Sequence, residues 1–147
     1  MAQDDNTEER IRSSFARQGL MRTLGATLEH VSPGKVEIAL QPDPAISQQH
    51  GFTHAGAVSA IADSAAGYAA LTQMPNGVGV LTTEFKINFL APAAGDRLVA
   101  RARVVKAGRT LTVAQSEVFA ERAGQEKMIA LLTATIMAVQ NRDGVSD

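Results

Sequence analysis

The sequence of 147 residues contains no cysteine, no tryptophan and few other aromatic residues. Without cysteine, no disulfide and no thiolate can contribute, which suits a reducing compartment, and we expect a cytoplasmic protein. Aromatic residues make up 4% of the chain, too few for the stacking surfaces that bind single-stranded nucleic acid. The formal net charge of −1 also gives no basic surface, so we expect no nucleic-acid partner.

The sequence also lacks a long apolar run. The first ten residues are acidic and polar, without the apolar core of a secretory signal. The longest apolar candidate, residues 55–62, ends at Asp63 and is far too short to cross a bilayer, so no membrane partner is expected. The composition predicts one globular domain over residues 1–147, with flexible tails at about 1–8 and 141–147.

One stretch combines small side chains with a single carboxylate. Residues 48–54 are mostly polar, and residues 55–71 are nearly all small or apolar except for Asp63. Small side chains allow close backbone approach, so we expect a helix from about 53 to 73 that the rest of the fold encloses. Because a buried charge is costly, Asp63 is a candidate functional group whose pKa burial should raise.

Helical periodicity predicts a first helix that ends near residue 22, with Thr7 as its cap and Gly25 as its breaker. Its apolar stripe consists of Ile11, Phe15, Leu20 and Leu24. Alternation of polar and apolar residues predicts strands at 35–40, 80–90, 97–106 and 110–120. A run that is apolar on both faces predicts a central strand at 127–139.

Short turns separate the last four predicted strands, so they should form an antiparallel meander. One long helix against such a sheet is an α+β arrangement. On strand 80–90, strict alternation puts Leu81, Thr83 and Phe85 on one face and Thr82 and Glu84 on the other.

A motif at the start of the long helix resembles that of the PaaI-type (phenylacetate-degradation type) acyl-CoA thioesterases. It consists of His54-Ala55-Gly56, with Asp63 nine residues after the histidine. Segments 87–93 and 106–110 resemble the family's next strand and a later turn, and the likeness covers about residues 20–140. It implies the hotdog fold, in which a long central helix is wrapped by an antiparallel sheet of five to six strands.

The resemblance also implies an acyl-CoA substrate and a homo-oligomer, either a dimer or a dimer of dimers. No cofactor is implied, because coenzyme A is part of the substrate. Two positions differ from the family pattern. Ala55 stands where the first glycine of His-Gly-Gly is usual, and Gln48 stands where many members have asparagine.

Thioester hydrolysis needs an activated nucleophile and donors for the oxyanion. Asp63 could act as general base toward water or attack directly, and it could instead be a satisfied structural carboxylate. The N–H groups of Ala55 and Gly56, at the helix start, are the candidate oxyanion donors. Gly56 and Asp63 lie about 10 Å apart along a helix axis, so one thioester carbon cannot touch both. We therefore expect donors and base from different chains.

Further candidates follow from the family resemblance. Gln48 would hold the water or the carbonyl, Thr82 would assist the water, and His54 would orient the helix start. We expect substrate contacts from His50, Phe52 and Tyr68. Coenzyme A phosphates call for cationic side chains, for which Lys86 and Arg109 are candidates.

Other readings of the sequence remain open. A non-catalytic acyl-CoA-binding protein would have the same fold, as would a hotdog dehydratase or hydratase, although the hydratase Asp-x-x-x-x-His arrangement is absent. His50 and His54 have an HxxxH spacing, but a metal would need both on one helix face and a third ligand, so no metal is expected. There is no G-x-S-x-G motif of a serine hydrolase.

Overall fold

A 17-residue helix, α3 (Ala55–Leu71), lies along one face of a six-stranded antiparallel sheet. The computed structural model describes residues 6–147. The other α-helices and strands, in chain order, are α1 (Thr7–Ala16), α2 (Gly19–Leu24), β1 (Thr27–Ser32), β2 (Lys35–Leu40), β3 (Gly79–Phe89), β4 (Arg97–Ala107), β5 (Leu111–Arg122) and β6 (Gln125–Val139). This is the α+β architecture that the sequence predicts, with the strands in the order β1-β2-β4-β5-β6-β3.

The small residues of α3 let the sheet approach the helix closely. Eleven of its residues are buried, among them Ile61 and Leu71 together with most of the alanines. They face the inner side of the sheet, where alternate residues such as Ala100, Val118 and Ile136 are also buried. No helix within residues 6–147 is long and apolar enough to span a membrane.

The predicted first helix is two helices. Thr7 is the first helical residue of α1 rather than its cap, and Asn6 takes the cap position. The chain then breaks between α1 and α2, which changes the helical phase, so Leu20 is 55% exposed and Met21 is buried in its place. Gly25 ends α2 in the left-handed conformation that glycine favours (φ +70°), as predicted.

Two features of the sheet differ from the prediction. The edge strand β1 was not predicted, because its mixed polar pattern hides the alternation. The meander comprises β4, β5 and β6 alone, because β3 pairs with β6 instead of β4. The link of residues 90–96 must cross about 14 Å, the width of three strand spacings, which an extended link of seven residues can span.

A β-bulge in β3 changes which side chains face the helix. The pairing with β6 shifts between Thr82 and Glu84, which leaves Thr83 as the extra residue. Thr82 pairs with the buried Ile136 and faces α3, whereas Glu84 pairs with Thr135 on the outer side. Strict alternation therefore placed Thr82 and Glu84 on the same face of the strand, whereas in the structure Thr82 faces the core and Glu84 faces outward.

The segment of residues 141–147, predicted as a flexible tail, folds back against α1 and the end of α3. Arg142 and Val145 form an isolated bridge, and the Asp147 carboxylate accepts a hydrogen bond from the Gly77 N–H (2.7 Å). At the other predicted tail, residues 1–5 lie outside the described residues and residues 7 and 8 begin α1. The flexibility of both tails stays a prediction.

Arg10 connects α1 to these elements. Its guanidinium donates to the carbonyls of Leu71 (2.7 Å) and Met74 (3.0 Å) at the end of α3, and to Asn76 and Asp147. The side chain is 8% exposed. We expect Arg10→Met to lower the free energy of unfolding by about 2–4 kcal/mol, because it leaves buried acceptors unpaired. Urea denaturation measures this value.

The matched control is Arg12→Met on the same helix. Arg12 forms an exposed ion pair with Glu8 (2.8 Å), which should contribute less than about 1 kcal/mol. Equal losses for the two variants would contradict the role given to Arg10.

Candidate active site

Asp63 lies in the third turn of α3 and accepts a hydrogen bond from the Thr82 hydroxyl of β3 (Oγ1 to Oδ1, 2.7 Å). The carboxylate is half-buried among small side chains, and this desolvation raises its pKa. The Thr82 hydrogen bond acts in the opposite direction and is the smaller effect. The direction of the pKa shift agrees with the sequence prediction, and the bulge in β3 is what brings Thr82 to this carboxylate.

A cavity of about 290 Å³ surrounds this pair. Tyr68 lines it further along α3, and its hydroxyl is hydrogen-bonded to Ser14 of α1 (3.2 Å) and to Gln18, the N-cap of α2 (2.9 Å). The remaining lining residues are Ser64, Gly67, Leu71, Val80 and Ser146. The helix α1 and the segment that contains Ser146 thus form walls of the Asp63 cavity, which the sequence analysis did not foresee.

At the start of α3, His54 is the N-cap and its ring Nδ1 accepts a hydrogen bond from the Gly56 N–H (2.7 Å). A side chain at position 56 would place its Cβ 3.0 Å from that nitrogen, so glycine leaves room for the ring. Of the two predicted oxyanion donors, the Gly56 N–H is therefore already paired. The Ala55 N–H has no acceptor among residues 6–147 and points out of the helix end.

Gln48 lies in the tight loop that precedes α3. Its Oε1 accepts hydrogen bonds from the backbone N–H groups of His50 and Phe52, which fixes the loop. Its Nε2 has no acceptor in the described part of the chain, so it can donate to a carbonyl or to water. The loop residue Thr53, which the sequence analysis missed, has a buried hydroxyl without a partner among the described residues.

A second cavity of about 450 Å³ brings these groups together. Gln48, Phe52, Thr53 and Ala55 line one side of it. The other lining residues are Val58, Phe89, Leu90, Ala91, Pro92, Ala93 and Ile129. No residue lines both this cavity and the Asp63 cavity. Within one chain, the candidate base and the candidate oxyanion donor thus belong to separate half-sites.

The structure does not bring the remaining candidates to Asp63. Lys86 pairs with Thr133 on the outer side of the sheet, away from α3. Arg109 is exposed in the turn between β4 and β5, at the end of the sheet nearest Leu81. His50 is exposed in the loop, beside Gln49. No three His, Cys, Asp or Glu side chains cluster as metal ligands anywhere in residues 6–147.

Comparison with known proteins gives several matches. A crystal structure of a thioesterase family protein from Silicibacter pomeroyi superposes with a TM-score of 0.90, at 52% identity over 92% of this chain and 99% of that one. A variant of the phenylacetic acid degradation protein PaaI from Thermus thermophilus is 28% identical, with a TM-score of 0.71 over 82% of this chain and 98% of that one. The 1,4-dihydroxy-2-naphthoyl-CoA hydrolase of Listeria monocytogenes is 25% identical over 84% of this chain and 98% of its own length.

The family profile described as the thioesterase superfamily matches residues 50–127, which is more than half of the chain. The match spans the end of the loop, the helix α3 and the strands β3, β4 and β5, and it includes Asp63 and Thr82. The predicted resemblance to PaaI-type hotdog thioesterases is confirmed, and with it the hotdog fold. The chain belongs to the thioesterase superfamily and is a thioester hydrolase.

Proposed function

We propose that the protein hydrolyses an acyl-CoA to the free carboxylic acid and coenzyme A, with Asp63 as the residue that activates the attack. The observation that carries this proposal is the half-buried Asp63 carboxylate, hydrogen-bonded to Thr82 inside a cavity. The similarity to a CoA hydrolase supports the substrate class. No cofactor takes part, because coenzyme A enters with the substrate.

In the reaction, an oxygen nucleophile forms a bond to the thioester carbon, and the carbonyl becomes an oxyanion. If water attacks, Asp63 takes its proton; if Asp63 attacks, water later cleaves the anhydride. Collapse of the oxyanion breaks the C–S bond, and the thiolate leaves and is protonated. Both routes need Asp63 ionised, and Thr82 favours that form by donating to it.

The Ala55 N–H stabilises the oxyanion from the end of α3. It is unpaired, it lies at the positive end of the helix dipole, and Gln48 and Thr53 add polar groups to the same cavity. His54 positions this helix end through its bond to Gly56. Ala55 and Asp63 line separate cavities, and the two residues lie about 12 Å apart along the axis of α3. We therefore infer that the complete site combines Asp63 of one chain with Ala55 of another.

The edge strand β3 supports this pairing of two chains. One edge of β3 has no partner strand among residues 6–147. Three large apolar side chains of the strand, and a fourth directly after it, are at least 43% exposed. They are Leu81, Phe85, Phe89 and Leu90. An open, apolar strand edge favours association with a second copy, which would cover it and join the half-sites.

The substrate contacts follow from this arrangement. Tyr68 lines the Asp63 cavity and Phe52 lines the Ala55 cavity, so both are candidate contacts for the acyl group next to the thioester. His50 and Arg109 are exposed and contact the coenzyme A portion. Lys86 lines neither cavity. It could bind a phosphate of coenzyme A only on the outer face of the sheet, where its side chain lies.

The test of the proposal is thiol release by the wild-type protein from a panel of aliphatic and aromatic acyl-CoAs, followed with a thiol reagent. Binding of the same compounds is measured in parallel by calorimetry. We expect saturable thiol release with at least one compound. Saturable binding of acyl-CoAs without thiol release above the uncatalysed rate would show the alternative function, a binding protein.

Replacing Thr82 by valine should move the acidic limb of the pH profile of kcat/KM to higher pH. The hydroxyl lowers the pKa of Asp63, so its removal leaves the effect of burial unopposed and raises that pKa. Activity requires the carboxylate, and it is lost as the pH falls through the pKa, so the limb moves upward. Thr82→Ser keeps the donor and should keep the wild-type limb. An unmoved limb in Thr82→Val would contradict the assignment of Asp63 as the titrating group.

A further inference from the structure

The segment of residues 142–147, which we call the closing segment, forms one end of the Asp63 cavity. Ser146 contributes to the lining of that cavity, opposite the residues of α3. The segment turns at Gly144 (φ +80°), where Arg142 and Val145 form a bridge, and then returns along the start of β3. This geometry places Ser146 on the wall of the cavity that contains Asp63, although it lies 83 residues after Asp63 in the sequence.

Hydrogen bonds hold the closing segment directly after Ser146. After it, the Asp147 carboxylate accepts from the Gly77 N–H (2.7 Å) and from Arg10 (3.3 Å), and the Asp147 carbonyl accepts from Arg17 (2.9 Å). Arg10 also caps the end of α3. Because these partners lie in α1, at its C-cap and in the turn after α3, hydrogen bonds connect the wall at Ser146 to the helices that form the cavity.

Gly79 provides the space that the closing segment occupies. A Cβ at position 79 would lie 2.6 Å from Cγ1 of Val145 and 3.0 Å from the N atom of Ser146. Any side chain there would therefore push the segment away from β3. Because the first residue of β3 has no side chain, Val145 and Ser146 can pack directly against this strand.

We propose that the closing segment, through Ser146, limits the length of the acyl group that the enzyme accepts. The inference rests on the proposed function, which puts the thioester carbon next to Asp63. From that carbon the coenzyme A arm must lead out to solvent, whereas the acyl group is the terminal part of the substrate. The cavity of about 290 Å³ is bounded by α1, Leu71 and Ser146, so it receives that terminal part.

The test compares kcat/KM for butyryl-CoA and decanoyl-CoA in matched variants. Ser146→Phe fills the end of the cavity, and the ratio of decanoyl-CoA to butyryl-CoA activity should fall at least about tenfold. A chain that ends at Asn141 opens the cavity, and Gly79→Ala displaces the segment, so both should raise the ratio by a similar factor. Asp143→Ala, an exposed change in the same segment, should leave the ratio within about twofold of wild type.

The outcomes separate this inference from the proposed function. If Ser146→Phe hydrolyses butyryl-CoA and its ratio equals that of the wild type, the inference is wrong and the function stands. If the shortened chain does not fold, Ser146→Phe and Gly79→Ala still decide the question. The first should lower the ratio of decanoyl-CoA to butyryl-CoA activity and the second should raise it. Absence of thiol release from the wild type would refute the proposed function itself.

Discussion

The Asp63→Asn variant is expected to lose thiol release by about 10²–10⁴-fold in kcat while it still binds acyl-CoA. Asparagine has the same size and can accept the Thr82 hydrogen bond, so the cavity keeps its shape. It can neither take a proton from water nor attack the thioester carbon. The measurement is thiol release at saturating substrate, with the dissociation constant of the substrate determined separately.

Stability provides the control for this variant. In the folded protein, burial raises the pKa of Asp63 above that of the unfolded chain, so the folded state keeps the proton to higher pH. Stability from the protonated form is present at acidic pH and is lost as the pH rises through the raised pKa. Asp63→Asn does not ionise, so it should be more stable than wild type at neutral pH, and the two should converge in acid.

A less stable and inactive Asp63→Asn protein would indicate a structural carboxylate, which is the alternative that the sequence left open. A stable and fully active variant would show that another group activates the attack. A single turnover in ¹⁸O-labelled water tests the direct-attack route. Label found in the Asp63 carboxylate shows that an anhydride formed and that water cleaved it at the Asp63 carbon.

The sequence predicted the elements of the site better than their connections. The run of small residues from 55 to 71 predicted α3, because few other arrangements tolerate so many alanines around one carboxylate. Alternation located β2, β3, β4 and β5 to within a few residues, and the run that is apolar on both faces located β6. The edge strand β1 was missed because its two faces are both largely exposed, so burial imposes no alternation on it.

Contacts between distant residues were outside the reach of periodicity. The bulge at Thr83 reverses the face of Thr82, and it depends on pairing with β6, some 50 residues later. The bond from Gly56 to His54 Nδ1 depends on the ring orientation at the cap, so the sequence counted two free donors where one remains. Ser146 lines the Asp63 cavity at the end of a segment whose last residue, Asp147, is bonded to Arg10 and Gly77.

Mixing two inactive variants is expected to restore activity, because each supplies the half-site that the other lacks. Ala55→Pro removes the candidate oxyanion N–H and should lower kcat by about 10²–10³-fold. Proline is favoured at the first position of a helix, and His54 has the extended backbone (φ −60°, ψ 139°) that a residue before proline adopts. The variant should therefore fold normally, and Ala55→Ser, which keeps the N–H, is its matched control.

The expected recovery follows from counting sites. In a dimer of one Asp63→Ala chain and one Ala55→Pro chain, one shared site carries both changes and the other carries neither. Random exchange in an equal mixture makes about half of the dimers mixed, so about a quarter of wild-type activity should return. If base and donor came from the same chain, every site would keep one defect and no activity would return. Two affinity tags allow the mixed species to be isolated, and the purified mixed dimer should then reach about half of wild-type activity, since one of its two sites is intact.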